Sequence, residues 1–315
     1  MKRTLQMLAP VLLVLCLMAA EGFTAEEKTP AQKPYLLQFS TPRSLSFCNE
    51  RVPLERDDVW ERLDREMLLA LGKEAQVILW MKRSRRYFPF LEEQLRQSQL
   101  PDDLKYVVVA ESDFFPEALS PKEAAGFWQF IRDTGRRFGL ITEDRVDERY
   151  SLPKSTAAAL EYLTALNERF GKWTLALAAY NCGEARVERE LAEQGVRDYV
   201  DLDLPQETEQ YLFRIFAIKI ILSNPAQYGF TLPESEYYRP FDVKEVTVIL
   251  LQPVHIRVIA EAAQTTFKNI RELNPELRGY YVPEGSRKLR IPGKSAEKFF
   301  ERLQEKLAPE PEKKQ

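Results

Sequence analysis

Histidine and cysteine are scarce in this chain of 315 residues, which carries one histidine and three cysteines. A catalytic Ser-His-Asp or Cys-His arrangement would depend on His255, which lies far along the chain from the motifs described below. A zinc site would have to be built almost wholly from carboxylates, which is an unusual ligand set. The composition therefore favours carboxyl chemistry if the protein is an enzyme, and we predict no metal and no cofactor.

Two of the cysteines, Cys48 and Cys182, lie well beyond the N-terminal region. One pair without diagnostic spacing does not define a disulfide framework. A disulfide formed in an oxidising compartment and two free thiols are both compatible with the sequence.

The chain also lacks an excess of basic charge. It has 45 Lys and Arg residues against 48 Asp and Glu residues, for a formal net charge of −3. The basic residues are spread along the chain and do not form a block, so there is no electrostatic footprint for nucleic acid. We therefore predict no nucleic-acid partner, and the sequence identifies no protein partner.

Residues 1–25 have the pattern of a secretory signal peptide. Met1-Lys2-Arg3 precedes an apolar run from Leu5 to Ala20, and small residues follow. Removal of residues 1–25 takes the formal net charge from −3 to −4, because Lys2, Arg3 and Glu21 are lost. We predict export to the periplasm, and outer-membrane association stays open. Cys16 offers the alternative of a lipid-attachment cysteine, although Val14-Leu15 lacks the small residue that such sites usually require.

Changes in pattern divide the rest of the chain. Helical periodicity dominates from Asp57 onward, and from Val243 the sequence alternates and is rich in β-branched residues. The predicted segments are a tether or irregular arm (26–50), a helical extension (51–100), a larger helical domain (101–232), a linker (233–242), a small βααβ domain (243–307) and a disordered tail (308–315).

Glu111 is the first candidate for carboxyl chemistry. Leu104, Val107 and Val108 stand seven, four and three residues before it, so helical geometry places all four on one stripe. A carboxyl group on an apolar stripe is desolvated, which raises its pKa and favours the protonated acid that glycosidic bond cleavage needs. The alternative is an ordinary Glu at a helix end, bonded to a nearby donor.

Three sequence blocks follow one another at characteristic spacing. Glu111-Ser112 is followed by Gly126-Phe127-Trp128-Gln129 and then by Ala178-Ala179-Tyr180-Asn181-Cys182-Gly183. This ordered set resembles the soluble lytic transglycosylase domain, and Gly-Phe-Trp-Gln together with Leu204-Pro205-Gln206-Glu207-Thr208 is similar to the membrane-bound lytic murein transglycosylase D group. The resemblance covers roughly residues 52–232. It implies a mainly α fold: a lysozyme-like helical catalytic domain with an N-terminal helical extension.

The resemblance also implies roles for individual residues. Glu111 would protonate the glycosidic oxygen between N-acetylmuramic acid (MurNAc) and N-acetylglucosamine (GlcNAc), and then act as base toward the C6 hydroxyl, closing a 1,6-anhydro ring. The substrate-binding residues that it implies are Ser120, Gln129, Tyr180, Asn181, Glu207 and Tyr211. Peptidoglycan glycan strands are the partner that it implies.

Other assignments for these residues stay open. Ser120-Pro121-Lys122-Glu123 also fits a capping box at the start of a helical turn. Asp113 stands two residues after Glu111 and would point away from it on a helix, so one acid suffices. A goose-type hydrolytic lysozyme and a non-catalytic peptidoglycan-binding scaffold remain alternative functions.

The C-terminal βααβ unit resembles a degenerate LysM domain. The similar residues are Ile259-Ala260, Ile270, Leu273-Asn274-Pro275 and Leu289-Arg290-Ile291-Pro292. The Gly-Asp that usually opens the first helix is replaced by Pro253-Val254-His255-Ile256, which leaves glycan binding open. We expect His255 to be a satisfied polar residue at that helix start, and not a ligand.

Overall fold

A computed structural model of the protein describes residues 39–308. The predicted signal peptide, most of the predicted tether and all but the first residue of the predicted tail lie outside this range. The helices are α1 (Asp57–Leu71), α2 (Glu74–Gln97), α3 (Lys105–Ser112), α4 (Arg132–Arg137), α5 (Leu152–Phe170), α6 (Trp173–Cys182), α7 (Glu184–Gln194), α8 (Gln206–Ser223), α9 (Ile256–Ala262), α10 (Phe267–Leu273) and α11 (Phe299–Leu307). The strands are β1 (Leu45–Phe47), β2 (Glu50–Val52), β3 (Val243–Leu250), β4 (Val254–His255), β5 (Tyr281–Val282) and β6 (Gly285–Pro292).

The predicted mainly α class is confirmed, since helices dominate residues 57–223. Among residues 39–308, no helix combines the length and the hydropathy that a membrane span requires. The periodicity did not predict α7, because Val187 is its one buried residue and its apolar stripe is therefore short.

The alanine-rich helix α6 lies in the interior of the helical part. Ala176, Ala178 and Ala179 are fully buried, and α6 packs against α5, α7 and α8. Because alanine side chains are short, the neighbouring helix axes approach closely. This packing holds the C-terminal end of α6, which carries Tyr180 and Asn181, beside α8.

The stripe predicted on α3 is present. Leu104, Val107 and Val108 are fully buried in the main core, and α3 ends at Ser112, directly after Glu111. Asp113 follows in the left-handed region at φ 52°, which ends the helix. The core therefore anchors the helix that carries Glu111.

The C-terminal module, defined here as residues 243–307, has the predicted βααβ order with additions. Strands β3 and β6 pair antiparallel from Val243 opposite Pro292 to Leu250 opposite Gly285, so β6 extends well before the predicted closing strand at Leu289. Helices α9 and α10 lie between them along the chain, and β4 pairs with β5. The module has its own core, to which α11 contributes Phe299 and Leu303.

Candidate active site

A cavity of about 760 Å³ lies beside the C-terminal end of α3. Its lining includes all seven predicted site residues: Glu111, Ser120, Gln129, Tyr180, Asn181, Glu207 and Tyr211. Glu111, Ser120 and Gln129 also line a second cavity of about 590 Å³. The two cavities together form a groove, called the cleft below, and Glu111 lies where they meet.

The Glu111 carboxyl group is desolvated, as its position on α3 predicts. Desolvation by burial raises its pKa from the ordinary value of 4.5 to about 7. A hydrogen bond from Tyr211 and the positive charge of Arg214 oppose this increase, and the negative charge of Glu207 adds to it. The predicted rise in the pKa of Glu111 is therefore confirmed, and a substantial fraction of this carboxyl group is protonated at neutral pH.

Tyr211 is the side chain that contacts the acid directly. Its hydroxyl donates to Glu111 Oε1 at 2.5 Å, and its ring is almost fully buried on α8. Burial and the nearby Glu111 charge raise the pKa of Tyr211 well above its ordinary value, so the hydroxyl stays protonated and remains a donor. Arg214, one turn further along α8, also lines the cleft and lies 3.9 Å from the buried Glu66 carboxylate.

Tyr180 and Asn181 connect α6 to the other cleft walls. The Tyr180 hydroxyl donates to the backbone oxygen of Trp128 at 2.7 Å. Asn181 Oδ1 accepts from the Thr208 hydroxyl on α8 at 2.8 Å. In this structure these two side chains brace the cleft, while the direct contact to Glu111 comes from Tyr211.

The cleft loop, defined here as residues 118–130, forms the wall opposite α8. Bridge pairings join Leu119 to Ala125 and Ala125 to Phe130, so the loop is a compact β-like turn. The turn at Ser120 is a single turn, closed by the Glu123 amide donating to the Ser120 oxygen at 2.9 Å, and no helix begins there as the capping-box alternative would require. Ser120 Oγ instead accepts from the Ala124 amide at 3.0 Å, which closes the turn.

Gly126 and Gln129 shape the tip of the cleft loop. Gly126 has φ +76°, and an added Cβ would lie 1.9 Å from the Arg149 carbonyl oxygen, so a larger residue does not fit. Gln129 Nε2 donates to the backbone oxygens of Gly126 at 2.8 Å and of Ala118 at 3.3 Å. The glutamine side chain therefore stabilises the loop on which it lies.

Phe127 and Trp128, the bulky residues of this motif, belong to the core and not to the cleft. Both are buried, and Trp128 Nε1 donates to the Thr156 hydroxyl at 3.0 Å. Trp128 anchors the loop to α5, and Phe127 packs against Tyr87 of α2, while Gln129 and Ser120 face the cleft.

Glu207 lies at the rim. Its side chain is 70% exposed and lies 3.8 Å from Lys122, which is 86% exposed and belongs to the cleft loop. An ion pair this exposed contributes little to stability. It does, however, place opposite charges on facing walls of the cleft.

Asp113 does not act as a second acid beside Glu111 in this arrangement. Its Oδ1 accepts from Trp80 Nε1 at 2.6 Å, and its backbone oxygen accepts from Arg83 at 2.8 Å. Within residues 39–308, no group of three or more His, Cys, Asp or Glu side chains is arranged to hold a metal ion.

Both described cysteines are free thiols. Cys48 is buried, whereas Cys182 is half-buried at the end of α6 and lines the cleft. Burial raises the pKa of both thiols, so they are protonated at neutral pH.

Sequence reasoning missed Arg149 and Arg214. Arg149 is almost fully buried behind the cleft loop, and Arg214 lies beside the acid. Arg214 could have been found from its position three residues after Tyr211 on the same helix. Arg149 lies in a charged segment without helical periodicity in its sequence, where only the nearby Asp147 indicated an ion pair.

Two family models match this chain. The model of the transglycosylase SLT domain matches residues 88–201, and the model of the lytic transglycosylase MltD, LysM-like domain, matches residues 245–307. The first match contains Glu111, the cleft loop and Tyr180. The chain therefore contains an SLT-type transglycosylase domain followed by an MltD-type LysM-like domain, and the resemblance predicted from the motifs is confirmed.

The chain is also similar to individual proteins that are named lytic transglycosylases. The chain is 34% identical over 227 residues to the membrane-bound lytic murein transglycosylases D of Escherichia coli K12 and O6:H1, an alignment that covers 70% of this chain and 49% of each relative. The chain thus spans about half the length of these relatives. Among solved structures, an inactive mutant of lytic transglycosylase Slt from Pseudomonas aeruginosa is 21% identical with a TM-score of 0.36, and the match covers 48% of this chain and 26% of that chain.

Proposed function

We propose that this protein is a peptidoglycan lytic transglycosylase that cleaves the β-1,4 bond between MurNAc and GlcNAc, with Glu111 as its one catalytic acid and base. The observation that carries the proposal is a carboxyl group with a pKa of about 7 in a groove, paired with a tyrosine donor. The SLT domain match over residues 88–201 supports it. We propose that the protein acts on periplasmic peptidoglycan after export; its membrane association stays open.

Two proton transfers through Glu111 balance the reaction: the acid gives one proton to the leaving oxygen and takes another from the C6 hydroxyl. Protonated Glu111 donates to the glycosidic oxygen, and the bond from C1 of MurNAc to that oxygen breaks. The Glu111 carboxylate, which Tyr211 stabilises by its hydrogen bond, then removes the proton from the C6 hydroxyl of the same sugar. The C6 oxygen bonds to C1, which closes the 1,6-anhydro ring, restores the acid and consumes no water.

The remaining predicted residues would hold the sugar. Ser120 and Gln129 face the cleft from the loop, and Tyr180, Asn181 and Glu207 face it from α6 and α8. All of them except Glu207 also make a hydrogen bond within the protein, which orders most of the wall before substrate enters. A wall that does not have to reorganise places the C6 hydroxyl near C1 at lower cost in entropy.

The experiment is digestion of purified sacculi by the protein in water enriched in ¹⁸O, followed by mass spectrometry of the products. We expect anhydromuropeptides without ¹⁸O from the parent and no products from Glu111→Gln. Glu143→Gln, at an exposed position, is the matched control and should keep full activity. Reducing ends that carry ¹⁸O would instead establish a hydrolase, and product release by Glu111→Gln would overturn the enzymatic role of Glu111.

We also propose that the C-terminal module contacts glycan. His255, Phe267, Tyr280 and Tyr281 form an aromatic cluster with ring centroids 5.0–6.2 Å apart, and the two tyrosines are 67% and 50% exposed. Exposed rings of this kind are typical of interaction surfaces. His255 itself caps α9 through Nδ1, as expected from the sequence. Loss of sacculus binding by Tyr280→Ala with Tyr281→Ala, at unchanged thermal stability, would support this assignment; unchanged binding would refute it.

A further inference from the structure

The C-terminal module is joined to the helical part by backbone pairing. Val146 forms a bridge pair with Leu277, the Asp147 amide donates to the Glu276 oxygen at 2.9 Å, and the Arg278 amide donates to the Arg145 oxygen at 3.0 Å. Val146 is buried in the core of the module, although it belongs to the segment between α4 and α5. The module is therefore docked through a short strand-like contact.

Side chains on both sides reinforce this contact. The Arg278 guanidinium lies 4.2 Å from the ring centroid of Tyr150, a cation–π arrangement. The Glu276 carboxylate is buried and accepts from Arg290 of β6 at 2.9 Å. The turn from Glu276 to Arg278 is thus tied to the sheet of its own module as well as to residues 145–150.

The segment that receives the module also holds the cleft loop. The Asp147 carboxylate accepts from Arg149 Nε at 2.9 Å and from Nη2 at 2.7 Å, and both side chains are buried. Arg149 Nη1 donates to the backbone oxygens of Glu123 at 2.7 Å and of Phe130 at 2.9 Å. One guanidinium therefore fastens two separate points of the cleft loop.

These contacts form a continuous chain from the module to the substrate wall. We propose that the docked C-terminal module is a positioning element of the active site: its turn at Glu276–Arg278 orients Asp147, Asp147 orients Arg149, and Arg149 holds the cleft loop with Ser120 and Gln129. Asp147 and Arg149 are positioning residues. The consequence for catalysis rests on the proposed function, whereas the structural coupling does not.

The arrangement favours coupling over independent folding of the two parts. Arg149 is 1% exposed, and a buried guanidinium is stable only when its charge is neutralised and its donors are satisfied. Its partner Asp147 is fixed by the backbone bond to Glu276. If the module undocked, water would reach Asp147, and the ion pair that orders the loop would weaken.

The test is Val146→Asp, which places a charge at the docking contact and leaves the sequence of the module unchanged. Hydrogen exchange of the cleft loop is the first readout, because Ala125, Gly126 and Gln129 donate backbone bonds within it. We expect exchange in residues 118–130 to become at least about tenfold faster, while peptides from α5 and α6 keep their parent rates. Lys288→Ala removes an exposed ion pair with Glu245 on the module. It should leave the exchange rates of both the cleft loop and the α5 and α6 peptides unchanged.

Kinetics on sacculi separates positioning from loss of folded protein. We expect KM to rise and kcat/KM to fall by about tenfold or more. The alkaline limb of the pH profile should stay in place, since Glu111, Tyr211 and Arg214 keep their contacts. A merely structural defect would lower the active fraction and leave KM unchanged.

Two outcomes would overturn the proposal. In the first, Val146→Asp exposes residues 276–278 to exchange, yet the cleft loop exchanges at the parent rate. In the second, the loop is loosened but KM and kcat/KM match the parent. If Val146→Asp does not fold, Val146→Ala and Arg278→Ala weaken the same contact less and must show the same two readouts in graded form. Because exchange is read without substrate, these results are distinguishable from failure of the proposed function.

Discussion

Replacement of Tyr211 by phenylalanine gives a sharp test of how the acid is tuned. The Tyr211 hydroxyl donates to Glu111 at 2.5 Å and favours the charged carboxylate, so it lowers the pKa of Glu111 from the value that burial alone would produce. Tyr211→Phe removes the donor and keeps the buried ring. The pKa of Glu111 must then rise above about 7.

The size of the shift follows from the strength of the lost bond. A hydrogen bond to a charged group contributes about 1.5–3 kcal/mol, and 1.36 kcal/mol corresponds to one pKa unit. The low end of this range applies, because Arg214 remains and continues to stabilise the carboxylate. We therefore expect an upward shift on the order of one unit.

The assay is kcat/KM for release of soluble muropeptides between pH 5 and pH 10, which reports the protonation of the acid in the free enzyme. The parent should lose activity as the pH rises through about 7, because Glu111 loses its proton. In Tyr211→Phe this alkaline limb should move upward, even if the maximum rate falls. Tyr106 lies on α3, the same helix as Glu111, and its hydroxyl is hydrogen-bonded to Ser223 of α8. Tyr106→Phe removes that hydroxyl and should leave the limb in place.

The pH at which the alkaline limb falls tests whether Tyr211 lowers the pKa of Glu111, whereas the absolute rate does not test it. A limb that stays near pH 7 in Tyr211→Phe would show that the hydroxyl does not tune Glu111. A limb that moves to lower pH would reverse the sign of the argument and refute it.

Three further predictions concern stability. The folded protein holds the Glu111 proton up to about pH 7, whereas the unfolded chain loses it near pH 4.5, so the free energy of unfolding of the parent falls as the pH rises through this window. Glu111→Gln lacks this titration. Its free energy of unfolding in urea, relative to that of the parent, should therefore increase by up to about 3 kcal/mol between pH 5 and pH 8. Gly126→Ala should lower the free energy of unfolding by about 3 kcal/mol or more, whereas Gly139→Ala, at a similar φ with open space around it, should cost about 1 kcal/mol; equal costs would contradict the contact with Arg149. Arg149→Lys keeps the positive charge but loses the planar guanidinium that bonds the Glu123 and Phe130 oxygens. The free energy of unfolding should therefore fall by about 1–3 kcal/mol for each backbone oxygen left unbonded. An unchanged free energy of unfolding would show that Arg149 does not hold the cleft loop.

Much of the site could be predicted from local sequence. Glu111 follows Leu104, Val107 and Val108 at helical spacing, so its partial burial and the upward direction of its pKa shift could be expected from periodicity. The Gly126–Gln129 and Tyr180–Asn181 blocks carried a resemblance, and every residue assigned through it lines the cleft. The roles of these residues in binding sugar stay predictions.

Local sequence left alternatives open where tertiary contacts decide the structure. Ser120-Pro121-Lys122-Glu123 has the residues of a helix start, but the bridges from Ala125 to Leu119 and Phe130 fold it into a turn. The domain boundaries stay predictions. The pairing of Val146 with Leu277 was beyond reach, because no local pattern links residues more than a hundred positions apart.

The half-buried thiol of Cys182 makes the cleft chemically addressable. It lies in the wall between Asn181 and Gly183, while the other described thiol, Cys48, is buried in the core. A small neutral alkylating reagent should therefore modify Cys182 before Cys48, and a glycan that fills the groove should slow that modification. The rate of alkylation then measures occupancy in Glu111→Gln as well, where no product is formed to report on binding.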